Sequence, residues 1–388
     1  MNKPHKSKSM LNKLISLIFI YCIFIIVVDR SPYPEQTYQW YQQQRLEYNL
    51  RCEGDTEWLR KTSIELIKQE SHDPLIGFSL AYISPNGTLS TCVSGWVHKF
   101  SELPQVTPTT AYQFASVSKT FVSDLILDLV RQDKLSLEDK LVDILPELQD
   151  ISYNDPRVRN IRIRHLLEHR AGFDRAKIGV NDDMFEPQPW CPSHVEKLAT
   201  ISLQFNPDER MAYSNTGYCL LSRIAEEKYN QPYQNILKIR YHLNDFNNFD
   251  FVTDDIGLPS QHSAITKLNP DYNYEALASV AGLYGDAPSL ALIVYNMEKS
   301  KSPNILTKPI ESWCNTSVIK GCHGYMGYEY SPSPRLRFFW RDGSMSTVSA
   351  LLVIDNKGGV MTMLTNVKRT SGQVPQLVKR IYELRLQE

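Results

Sequence analysis

The stretch QFASVSKTF, Gln113–Phe121, sets a serine hydroxyl and a lysine amine three residues apart among small and apolar side chains. Residues three apart share a helix face. A helix starting near Ser116 therefore brings Ser116 and Lys119 together in its first turn. There, burial and the positive end of the helix dipole disfavour a protonated lysine. A neutral amine beside a hydroxyl can take its proton, which is how a serine becomes a nucleophile. The plain alternative is a capped helix start with an exposed lysine. S-x-x-K spacing alone decides little, because Ser317-Val318-Ile319-Lys320 matches it too. That second copy overlaps a glycosylation sequon between Cys314 and Cys322 and reads as a surface loop.

Working outward, YSNTGY (Tyr213–Tyr218) offers Tyr213 and Asn215, which point the same way in an extended segment. A phenol near cations loses its proton more readily and can act as a base, and Asn215 can bind a substrate amide. As structure alone, they are a packed aromatic and a helix cap. FFWRDGSMS (Phe338–Ser346) reads as a strand ending at Trp340 and leading into Arg341-Asp342-Gly343-Ser344. There Arg341 would hold a substrate carboxylate, and Gly343 would let substrate approach the backbone. Otherwise Arg341 and Asp342 are an exposed turn pair.

The remaining chain reads as strands at both ends and helices between. IGFSLAYIS (Ile76–Ser84) and TLSTCVSGW (Thr88–Trp96) flank the turn Pro85-Asn86-Gly87 as a hairpin. LRFFW, VSALLVID and GVMTMLTN form three late strands, the last two joined at Asn356-Lys357-Gly358. Helices are expected from Asp55, over VSDLILDLVRQDKL and TGYCLLSRIAEEKY, and from Gln373 to Leu384. The expected class is α+β: an antiparallel sheet built from both termini, flanked by terminal helices, with a mainly helical region inserted.

Four lysines precede an apolar run from Leu14 to Val28, shorter than the ~20 residues of a comfortable span. It reads as a retained signal anchor, or as a signal peptide's apolar segment, with the remainder lumenal, extracellular or secreted. The expected layout is a basic tail at 1–13, the apolar segment at 14–28, a linker or stalk at 29–54 and one domain at 55–388. Six cysteines lie beyond the run, permitting three disulfides whose pairing stays open, with Cys314 and Cys322 able to close a local loop. The sequons Asn86-Gly87-Thr88 and Asn315-Thr316-Ser317 fit a secretory route. A formal charge of −1 speaks against nucleic acid as a partner.

Taken together, the three elements in this order resemble the serine β-lactamase and penicillin-binding protein superfamily, and most closely its class C β-lactamase and D,D-peptidase-like branch. ASVSKTF, IRIRHLLEHRAGF, FNPDERMAYSNTGYCLLSRIAEEKYNQPY, ASVAGLYGDAPSLA and LLVIDNKGGVMTMLTN look like family segments in family order, spanning roughly Leu75 to Asn366. The resemblance implies a β-lactamase/transpeptidase-like fold and a serine acyl-transfer hydrolase that needs no cofactor or metal. Ser116 would be acylated, Lys119 would assist proton transfer, and Tyr213 would be the base. Asn215 would position a small-molecule or peptide substrate, and the N–H groups of Ser116 and Ser344 would form the oxyanion hole. Where the family usually has Lys or His, this chain has Arg341, which keeps the charge but cannot relay a proton. Ser346-Thr347 stands where the family has Pro-Gly.

Two other classes compete. HLLEH (His165–His169) matches H-x-x-E-H, so that His165, Glu168 and His169 would serve a zinc peptidase. Arg341 motivates an inactive binding or scaffold protein on the same fold. The superfamily resemblance makes His165 a packing histidine, and the filled Ser, Lys, Tyr and Asn positions favour activity.

Overall fold

The computed structural model describes residues 34–55, 57–69, 74–98, 104–175, 184–253, 272–299, 302–307, 314–345, 348–370 and 372–388. An eight-stranded antiparallel sheet runs in the order β1-β3-β2-β11-β10-β9-β8-β7. Its strands are β1 (Arg51–Glu53), β2 (Gly77–Ile83), β3 (Leu89–Gly95), β7 (Cys322–His323), β8 (Tyr328–Ser333), β9 (Leu336–Met345), β10 (Val348–Asp355) and β11 (Val360–Thr365). A smaller sheet holds β4 (Tyr112–Gln113), β6 (Leu283–Gly285) and β5 (Asp250–Phe251), in that order.

Every residue of β2, β10 and β11 is buried. These strands lie at the sheet centre with both faces covered, which is why their sequences are nearly continuous apolar runs. One face carries the helices Glu57–Lys68 and Gln373–Leu386. Trp58, Phe78, Leu80, Phe338, Trp340, Met361, Leu377 and Tyr382 fill that core. The other face meets the helix Ala287–Glu298, whose neighbours include β2 and β11, and then the inserted helical region. Within that region the helices Lys119–Arg131 and Asn215–Tyr229 pack together. The hairpin expected at Pro85-Asn86-Gly87 forms β2 and β3, with Gly87 at φ 90° closing the turn. The α+β, β-lactamase/transpeptidase-like architecture expected from the resemblance is the one observed.

Three features differ from the sequence reading. The stretch expected to be linker contains the helix Pro34–Tyr48, followed by strand β1. Leu46 is buried, Ser94 Oγ donates to its carbonyl at 2.6 Å, and the Arg45 guanidinium lies 4.0 Å from the Trp96 ring centroid. The helix has few apolar residues, so its periodicity is faint, and tertiary contacts decide it. Second, β9 does not stop at Trp340 but runs on to Met345, paired residue by residue with β10. Third, β7 and β8 extend the sheet edge beyond any strand expected there.

The six cysteines pair as Cys52–Cys92, Cys191–Cys219 and Cys314–Cys322. Such pairs belong to proteins that fold in an oxidising, exported compartment. Both sequon asparagines are exposed. No helix among the described residues is long and apolar enough to cross a membrane, and the run Leu14–Val28 lies outside them.

Phe338 is fully buried, with Tyr382 at 5.1 Å and Trp58 at 6.5 Å between ring centroids. It joins the sheet to both terminal helices. Phe338→Ala is expected to destabilise the domain by about 3–5 kcal/mol, read as a lower urea midpoint with an unchanged m-value.

Candidate active site

Phe114 N–H donates to the Leu283 carbonyl at 2.9 Å, and Leu283 N–H donates to Ser118 Oγ at 3.2 Å. These bonds pin the Ser116 segment to β6. Ala115 then takes a left-handed φ of 47°, a strained value for a residue with a Cβ. A 3-10 turn over Ala115–Ser118 follows and passes directly into the helix Lys119–Arg131. The expected shared face thus arises from a 3-10 turn, in which residues i and i+3 eclipse, with Lys119 opening the α-helix.

Ser116 Oγ is only partly buried. It accepts from Tyr213 OH at 2.8 Å and from Lys119 Nζ at 3.4 Å. Lys119 is fully buried and its Nζ also donates to the Val280 carbonyl at 2.7 Å. Burial lowers its ammonium to about 8, with Arg341 and Arg175 adding to the shift against the opposing pull of Tyr213. For Tyr213, burial pushes the phenol up, but Lys119 and Arg341 overcome it and bring it down to about 8. The hydroxyl thus has two proton acceptors poised near neutrality.

Arg341 occupies a different place from the one its sequence suggested. It is buried rather than at an exposed rim. Nε donates to the Ser116 carbonyl at 2.7 Å, Nη1 to the Met326 carbonyl and Nη2 to Tyr213 OH at 3.4 Å. All three nitrogens of the guanidinium are engaged with protein, and it sits beneath the Ser116 turn. Gly343, two residues on along β9, faces the same turn. A Cβ there would run into the Phe114 carbonyl oxygen and stand 2.9 Å from Ser116 N. Ser344 follows, partly exposed, its Oγ donating to the Arg369 carbonyl at 3.3 Å. Asn215 is buried in the first turn of its helix, whose cap is Ser214: Ser214 Oγ accepts from Gly217 N–H at 3.2 Å.

Two further groups stand beside Tyr213: His169, which the sequence offered only as a zinc ligand, and Arg175, which it did not single out. The His169 ring stacks on the Tyr213 ring with centroids 4.4 Å apart, and its Nδ1 accepts from Ser214 N–H at 3.2 Å. Burial holds this imidazole well below its usual range, with His323 and Arg341 adding to the effect. The Arg175 guanidinium lies over the Tyr213 ring at 4.4 Å. Neither carries a periodic or motif signal tying it to a tyrosine about forty positions later.

The zinc geometry expected of HLLEH does not form. The helix Ile163–Leu167 ends before His169, which adopts a left-handed φ of 56°. His165 Nδ1 accepts from Arg162 N–H at 3.1 Å while His169 turns to Tyr213, so the two imidazoles do not share a face. No group of three His, Cys, Asp or Glu residues suited to a metal occurs among the described residues. The second S-x-x-K match sits on the disulfide-closed segment, with Ser317 exposed and Lys320 Nζ 4.0 Å from Asp342.

A family model described as Beta-lactamase matches residues 77–383. Among curated proteins, a probable fimbrial assembly protein FimD, serogroup H1, from Dichelobacter nodosus is 30% identical over 325 residues, covering 81% of this chain and 80% of that one. Among solved structures, a beta-lactamase/D-alanine carboxypeptidase from Yersinia pestis has a TM-score of 0.65 and 16% identity, covering 85% of this chain and 100% of that one. A D-amino acid amidase from Ochrobactrum anthropi has a TM-score of 0.63 and 18% identity, covering 81% of this chain and 94% of that one. At such identities the two structures speak to fold alone.

Gly343→Ala is expected to displace the turn that carries Ser116. A shift of about 1 Å at reacting atoms lowers rates on the order of a hundredfold. The check is the rate at which an active-site serine probe labels Ser116, alongside a melting curve showing that the domain still folds.

Proposed function

This chain belongs to the Beta-lactamase family, and on that premise we propose that it is a serine acyl-transfer hydrolase cleaving an amide, ester or peptide bond through an acyl-Ser116 intermediate. The observation that carries this reading is the 2.8 Å hydrogen bond between Tyr213 OH and Ser116 Oγ, inside a ring of cations. A phenol already lowered to about 8 supplies phenolate near neutral pH without help from substrate.

In this mechanism Tyr213 phenolate takes the Ser116 proton as Oγ attacks the substrate carbonyl. The resulting oxyanion lies between the backbone N–H groups of Ser116 and Ser344. Tyr213 returns the proton to the departing amine or alcohol. A water then attacks the acyl carbonyl as Tyr213 takes its proton, and Tyr213 passes that proton to Ser116 Oγ as the acyl–oxygen bond breaks, restoring the phenolate and the free hydroxyl. Lys119 stabilises the phenolate and shares its proton, through the 3.4 Å contact to Ser116 Oγ. Arg341 contributes charge and position only, because a guanidinium does not deprotonate in proteins. Proton traffic is therefore left to Tyr213 and Lys119. Asn215 orients the substrate. The fully buried Lys119 amine beside the partly buried Ser116 and Tyr213 favours catalysis over the scaffold reading, since burying a lysine amine without a carboxylate is otherwise unfavourable.

Two measurements test this. A fluorophosphonate or labelled penicillin should form an adduct on Ser116, found by peptide mass mapping and absent in Ser116→Ala. Failure of every serine-directed probe to label that position would overturn the reading. The pH profile supplies the second test. Because the unprotonated base is the active form, kcat/KM for an ester should rise about tenfold per pH unit below about 8 and level above it. Tyr213→Phe should abolish that limb and lower kcat by at least about a hundredfold.

A further inference from the structure

We propose that Arg175 is the substrate's anion receptor, so that the favoured substrates are esters or amides carrying a carboxylate near the scissile bond. This deepens the Ser116 reading and rests on it. Its basis is where the cations around Tyr213 spend their donors. Lys119 is buried against the Val280 carbonyl. Arg341 is buried, with each of its nitrogens engaged. Neither has a donor directed at bulk solvent. Arg175 is exposed, one phenol ring away from Ser116 Oγ. Stacking engages the face of a guanidinium and leaves its N–H edge free, and that planar fork matches a carboxylate.

The surroundings keep this charge available. The adjacent carboxylate, Asp174, is drawn away to Arg210 at 2.9 Å, and among the described residues no ion pair joins Arg175 to an acidic side chain. The backbone that carries it is held from both sides. Arg175 N–H donates to the Tyr213 carbonyl at 3.4 Å, and Asp174 N–H donates to Gln204 Oε1 at 2.8 Å. Gly172 turns at φ 100°, where a Cβ would stand 2.8 Å from the Phe205 carbonyl oxygen. An exposed arginine, in no ion pair among the described residues and held beside Tyr213, has the placement of a recognition group. The competing view is that Arg175 only stacks on Tyr213.

The full chain and Arg175→Gln are compared with p-nitrophenyl hydrogen succinate and with its neutral counterpart, p-nitrophenyl butyrate. The unaltered protein should prefer the anionic ester in kcat/KM, and Arg175→Gln should reduce the ratio of the two by about tenfold. Arg175→Lys should recover only part of the preference, since an ammonium lacks the fork. A ratio the same in Arg175→Gln as in the unaltered protein overturns the proposal in favour of stacking alone. Binding is measured separately in Ser116→Ala by calorimetry, with N-phenylsuccinamic acid against butyranilide. That arm reads Arg175 even if neither ester turns over, an outcome that would count against the Ser116 reading instead. Anionic binding that is indifferent to Arg175→Gln and to added salt overturns the proposal. Selective loss of the anionic ligand under both treatments supports it.

Discussion

The site depends on one close approach: the backbone of β9 at Gly343 lies directly against the turn from Phe114 to Ser116. No side chain fits between them. Strand residues alternate faces, so Arg341, two positions earlier, must also point at that turn. Its guanidinium holds the Ser116 carbonyl at 2.7 Å from beneath. One strand face thus supplies both the missing side chain that permits contact and the charge that fixes what it contacts. The left-handed Ala115 is held in place by this packing together with the bonds to Leu283. A strained residue persists where its surroundings over-determine it.

Charge organises the remainder of the site. Lys119 and Arg341 are buried, neither forms an ion pair with a carboxylate among the described residues, and the group that most offsets them is the Tyr213 phenol. Burial alone would raise the phenol and lower the amine; their mutual attraction keeps both within reach of neutrality. His169 closes one side of the tyrosine as a neutral ring, adding shape without further positive charge. The arginine beneath the serine carries a permanent positive charge and does not relay a proton.

The wider fold supplies rigidity to this arrangement. Central strands buried on both faces back the β9 strand that carries Arg341 and Gly343, and Phe338 and Trp340 on the same strand anchor it in the core shared with the terminal helices. At the far edge, Cys52–Cys92 ties β1 to β3, and the helix Pro34–Tyr48 packs beside it through Leu46. Cys191–Cys219 fastens a loop of the inserted region to the helix that begins at Asn215, two residues after Tyr213.

Local chemistry was legible in the sequence. The hairpin at Asn86-Gly87, the apolar runs of β10 and β11, the amphipathic helix after Ser118, and Ser116, Lys119 and Tyr213 as candidates all follow from periodicity, turn residues and motif order. Such signals act over a few residues, and so does the information that carries them. The polar helix Pro34–Tyr48 escaped because few of its side chains are apolar, and contacts with β3 rather than its own pattern secure it. The extension of β9 through Arg341-Asp342-Gly343 escaped because polar, turn-like residues are held in strand by pairing with β10. Only the tertiary structure decided that Tyr213 meets Ser116 across 97 residues, that Arg341 reaches it across 225 and turns inward, and that Arg175 remains outside. The sequence alone determined which groups were available; chain packing determined which of them touch, because burial and direction belong to surfaces that exist only once distant segments have closed on each other.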